Sequence, residues 1–140
     1  VHSWTIKLLI KINNENFKIN YFFLRLPIAI SLFGHGLVRL PKLEMFSGWM
    51  LKTMETSMIP TFLLMPFSYI LPILEFLIGL WLMIGYQSRW ALYAGLTLMS
   101  VLIFGSCSIE NWNAIEAQLI HATYLFGLLW FFQKYGDKAE

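Results

Sequence analysis

His35, Arg39, Glu75, Gln118 and His121 all lie inside runs of apolar residues long enough to cross a bilayer. Ionisable groups at membrane depth are costly, and they face a bundle interior or a water-filled cavity. A lone ionised carboxylate at Glu75 is very unfavourable there, so it must be protonated, hydrogen-bonded or paired. Histidines and a carboxylate within reach of one another can relay a proton. An arginine beside them can stabilise developing negative charge or hold an anion. The residues therefore point to a buried site with Glu75, His35 and His121 as candidate catalytic groups. Arg39, Gln118 and Tyr124 are candidate substrate-binding groups. Each group also has a structural reading. Glu75, His35 and His121 can serve as helix-to-helix hydrogen-bond partners. Arg39 can snorkel to lipid phosphates, and Arg25 can do the same at the opposite face. His35, His121 and Glu75 have donor types acceptable to a divalent metal. No two of them share a short ligand motif, so no metal is expected.

Residues four apart share a helix face. On that spacing Pro27, Ser31, His35 and Arg39 form one polar stripe, and Ser68, Pro72, Glu75 and Gly79 form a second. Tyr93, Thr97, Ser100, Phe104 and Cys107 form a third, and Gln118, His121 and Tyr124 a fourth. Pro72 cannot donate to the Ser68 carbonyl and should kink its helix. The stripes meet if the first, second and fourth spans are neighbours.

The elements that must position these groups are four apolar spans, at about 21–40, 61 or 66 to 85, 90–106 and 114–132. Each is near the ~20 residues a helix needs to cross the hydrocarbon core. No run shows sustained alternation, and lipid requires each span to satisfy its own backbone hydrogen bonds. The fold expected is all-α: a four-helix transmembrane bundle with a short amphipathic helix on the outer face between spans one and two. That helix falls within 42–59, where Phe46, Trp49, Met50, Met54 and Met58 recur every three or four residues. Residues 1–20 form an interfacial helix or a flexible segment, 21–135 the membrane domain and 136–140 a tail. Pro27 is expected in the first turn of span one, and Gln87-Ser88-Arg89 between spans two and three. Asn113 with Glu116 is expected to cap span four. Gly34, Gly36, Gly79, Gly95 and Gly127 are expected to permit close helix packing.

Composition supports a membrane protein. Of 140 residues 58% are hydrophobic and 13% charged, against about one quarter charged in soluble domains. The lipid bilayer is thus the first partner. A net charge of +2, scattered along the chain, does not suggest nucleic acid. The single cysteine, Cys107, excludes an intramolecular disulfide within this sequence. No haem, flavin or iron–sulfur motif is recognisable. Four spans place both ends on one side, with Lys7, Lys11, Lys18, Arg89, Lys134 and Lys138, against Arg39, Lys42 and Lys52 on the other. The positive-inside rule then predicts a cytoplasmic (inner) membrane with both termini cytoplasmic.

Two stretches, residues 24–40 (LRLPIAISLFGHGLVRL) and 71–92 (LPILEFLIGLWLMIGYQSRWAL), carry a further pattern. Arg25, His35-Gly36 and Arg39 lie in the first; Pro72, Glu75, Gly79, Gly85 and Arg89 lie in the second. The pattern resembles the DoxX family of small four-helix membrane proteins, including the DoxD-like subunit of thiosulfate:quinone oxidoreductase. The chain departs from it at Ala29, where a glycine is common, and in an ending reduced to Gly136-Asp137. The resemblance implies a quinone-linked oxidoreductase subunit. A quinone would be its cofactor, His35 or His121 would donate to the ring carbonyl, and Arg39 would face a small anionic donor. The alternative is a non-catalytic structural or accessory subunit that assembles with other membrane proteins. In that case the same residues form a structural hydrogen-bond network.

Overall fold

The computed structural model describes residues 2–135; the expected tail at 136–140, with Lys138 and Gly136-Asp137, lies outside them. Helix α1 runs His2–Arg39, a 3₁₀ turn follows at Leu40–Lys42, and α2 spans Leu43–Thr53. Then come α3 (Thr61–Ile84), α4 (Ser88–Ser108) and α5 (Trp112–Tyr135). Among the described residues there is no strand. Four helices are long and apolar enough to cross a membrane: α1, α3, α4 and α5.

Helix α1 is longer than the span expected at 21–40. No Gly or Pro interrupts residues 2–26, so the helix propagates through the segment expected to be separate. At ~1.5 Å per residue it is about 57 Å long, nearly twice the ~30 Å hydrocarbon thickness. Pro27 accordingly sits inside the helix rather than in its first turn.

Helix ends are closed by specific side chains. Gly85 ends α3 in the left-handed region, at φ 79°, where glycine carries no steric penalty. Arg25 reaches across to α3. Its Nε donates to the Leu82 carbonyl at 2.8 Å, and a side chain at Gly85 would collide with its guanidinium. It therefore caps carbonyls that the end of a helix leaves without intrahelical donors. At α5 the cap is Asn111 rather than Asn113. The Asn111 Oδ1 accepts from the Ala114 N–H at 3.3 Å, so the cap lies two residues earlier than the sequence pattern suggests.

The bundle consists of two close pairs. Helix α1 packs along α3, and α4 along α5; α3–α4 and α1–α5 contacts close the ring. Small residues allow the first pair to approach. A Cβ on Gly36 would meet the Pro72 carbonyl at 2.6 Å, and one on Gly79 the Ala29 carbonyl at 2.8 Å. Gly95 faces Leu125 across the second contact, whereas Gly34 and Gly127 approach nothing. Helix α2 lies over α3, as expected for the amphipathic helix. Phe46 and Met50 enter the core and Ser47 is buried, while Trp49 faces outward. The Ser47 hydroxyl reaches that of Ser68 at 2.6 Å.

The end of the bundle farther from α2 is densely filled. Phe17, Tyr21, Phe131 and Phe132 form an aromatic cluster, and the Tyr21 hydroxyl bonds Ser88 at 2.6 Å. Gly79→Ala should destabilise the protein by about 1–3 kcal/mol through overpacking. Gly34→Ala should be neutral or stabilising by up to about 1 kcal/mol, through helix propensity alone. Equilibrium unfolding in detergent distinguishes the two.

Candidate functional site

At the α2 end the two helix pairs do not fill the space between them. A cavity of about 590 Å³ lies there, walled by residues of all five helices. Most of its wall is apolar, including Phe46, Phe67, Leu71 and Met99, and His35, Arg39, Glu75, Ser106, Gln118 and His121 also line it. The structure thus gathers five of the six predicted site residues around one space. Tyr124 is the exception. Its hydroxyl donates to the Leu24 carbonyl and ties α5 to α1.

Glu75 is only 6% exposed, and its Oε2 lies 2.8 Å from Nη1 of Arg39, which is 29% exposed. The Arg39 guanidinium also lies over the Phe46 ring, 4.6 Å from its centre. Arg39 thus turns inward as a counter-ion instead of reaching for lipid phosphates. This pairing is what an ionised carboxylate at this depth requires.

The two histidines are held by their own helix. His35 Nδ1 lies 2.7 Å from the Ser31 carbonyl, and His121 Nδ1 lies 2.8 Å from the Ala117 carbonyl. A carbonyl only accepts, so both Nδ1 atoms carry the proton, and in the neutral ring Nε2 is left as an acceptor. His121 uses that acceptor: Ser31 Oγ donates to its Nε2 at 3.0 Å. The two rings meet edge to face, 6.1 Å between centres. Ser31 therefore links the histidines through its carbonyl and its hydroxyl. It shares a stripe with His35, which was the sequence signal for it.

Gln118 donates to Ser106 Oγ at 3.0 Å. Its Oε1 is buried and has no hydrogen-bond partner among the described residues. Ser106, on α4, was missed by the sequence pattern because the more polar stripe on that helix drew attention elsewhere. The middle of that stripe faces away from the bundle, although Phe104 reaches the cavity and the Tyr93 hydroxyl accepts from Gln133 of α5. Thr97 and Ser100 are exposed and bond the carbonyls of Tyr93 and Leu96 in their own helix; Cys107 is exposed and free. No group of three His, Cys, Asp or Glu side chains among the described residues could hold a metal ion.

The family model described as methylamine utilisation protein MauE matches residues 18–114. No curated protein and no solved structure matches the chain. The family match overturns the DoxX resemblance, because MauE is a different membrane family. The structure shows why the resemblance arises. Gly36 and Gly79 are close-packing positions, Arg25 is a helix cap, and Glu75 with Arg39 is an ion pair. Each of these residues has a structural role here that does not depend on a quinone or an electron donor. The DoxX-specific reading, thiosulfate- and quinone-linked oxidoreduction, loses the support that the resemblance gave it.

The ion pair yields a direct test. Arg39→Met should cost about 3–5 kcal/mol of stability, since it leaves a buried charge without its partner. The double variant Arg39→Met/Glu75→Met should recover most of that loss. Unfolding of wild type, the double variant and both single variants, Arg39→Met and Glu75→Met, in the same detergent gives the coupling.

Proposed function

Because this chain belongs to the MauE family of methylamine utilisation proteins, we propose that it is a non-catalytic accessory membrane protein of a methylamine-utilisation system. The observation that carries the reading is the Arg39–Glu75 pair at 2.8 Å. The groups best suited to catalysis are engaged with one another, and both histidines are bound to carbonyls of their own helix. Such a network fixes how α1, α3 and α5 sit together. It thereby shapes a surface that other membrane subunits can recognise. The sign of the flanking charges supports a cytoplasmic membrane with both termini cytoplasmic.

A structural role and a catalytic one differ in a single genetic experiment. Deleting the chain from its host should abolish growth on methylamine as sole nitrogen source and leave growth on ammonium unchanged. Wild type should restore growth, and so should Arg39→Met/Glu75→Met, which replaces the pair without leaving a lone charge. Growth indifferent to the deletion would remove methylamine from the reading. A double variant that accumulates normally but fails to complement would show that Glu75 or Arg39 has a chemical task.

A further inference from the structure

We propose that the cavity at the α2 end is a binding site for an amphiphile with a long apolar body and an uncharged hydroxyl head. The proposal stands apart from the question of what the protein assembles with. The cavity volume, about 590 Å³, falls within the ~300–1,000 Å³ typical of small-molecule sites. Such sites combine an apolar wall with a few convergent polar groups, and this one has both. Phe46, Phe67, Leu71 and Met99 supply apolar wall.

The polar groups indicate the head. Gln118 Oε1 is buried without a partner. Exchanging the amide's oxygen and nitrogen would only move the vacancy, because Ser106 is the amide's one partner. A buried polar atom left unsatisfied costs about 1–3 kcal/mol, and a ligand that donates to it would recover that. His35, an exposed residue on the same wall, adds a second acceptor, since its Nδ1 proton goes to the Ser31 carbonyl and its neutral-ring Nε2 has no donor among the described residues. Charge selects among donors. Arg39 and Glu75 neutralise each other, so a cationic or anionic head would enter the low-dielectric space without a counter-ion. A hydroxyl donates, accepts and carries no charge. A fatty alcohol and the free hydroxyl of a monoacylglycerol offer this same chemistry from two sources.

The test uses full-length protein in nanodiscs and measures saturable, displaceable binding above that of empty nanodiscs. The probes are radiolabelled dodecan-1-ol and its methyl ether, which has nearly the same shape but no donor. The alcohol should bind at least tenfold more tightly than the ether. Gln118→Leu should abolish that preference, while Gln118→Glu, tested in parallel, checks whether an acceptor at this position suffices. Thermal unfolding of each variant checks that it is folded, and His35→Phe provides a second, independent loss of acceptor. Monooleoylglycerol as competitor separates the two sources: displacement below the concentration needed for cold dodecanol identifies a glycerolipid, and weaker displacement a simple alcohol. Equal binding of alcohol and ether would overturn the proposal. So would a preference that survives Gln118→Leu in folded protein.

Discussion

The arrangement of this bundle depends on one requirement, that the Glu75 carboxylate not stand alone in a low-dielectric interior. Arg39 meets it from the last turn of α1, 36 residues away in sequence and 2.8 Å away in space. For the two side chains to touch, α1 and α3 must run close together, and Gly36 and Gly79 make that approach sterically possible. A buried pair of this kind contributes little net stability, because desolvation offsets the attraction. Replacing both members together therefore costs little, whereas removing either one leaves a buried charge without its partner.

The two ends of the bundle solve different problems. Away from α2, aromatic rings and leucines fill the interior, and the Tyr21–Ser88 and Tyr124–Leu24 bonds join helices across it. At the α2 end, small and polar side chains occupy positions that large apolar ones would otherwise fill. Glu75 pairs with Arg39 and Ser31 with His121, Gln118 Oε1 has no partner among the described residues, and the space between them is a cavity instead of a packed core. Helix α2 covers this end with Phe46 and Met50. Closely packed α1–α3 and α4–α5 pairs, with fewer contacts between the pairs, are the architecture in which such a cavity can persist.

Much of this was legible in the sequence. Four apolar runs and their aromatic ends gave the spans, and the period that starts at Phe46, Trp49 and Met50 gave α2, which ends at Thr53 and leaves Met54 and Met58 beyond it. The four-residue stripes correctly directed His35, Arg39, Glu75, Gln118 and His121 towards one space. Helix rotation was not legible. The stripe of Tyr93, Thr97 and Ser100 has the same polarity as the others yet faces outward, because a Thr or Ser hydroxyl can bond its own helix carbonyl and tolerate lipid. Pairwise contacts were equally hidden. Arg25 reads as an interfacial arginine until α3 is seen to end beside it. The DoxX-like pattern illustrates the same limit: in this structure Gly36 and Gly79 serve close packing, and Glu75 with Arg39 forms a buried pair, so the pattern reports a physical solution before it reports an activity.

The central claim is that Glu75 is an ionised partner of Arg39, serving architecture and not proton transfer. Infrared difference spectroscopy of wild type against Glu75→Gln in the same lipid tests it most directly. The charge pair predicts that the variant loses a carboxylate stretch, with no protonated-carboxyl band in the wild-type trace. A protonated-carboxyl band present in wild type and absent from the variant would contradict the pairing and reopen Glu75 as a proton carrier.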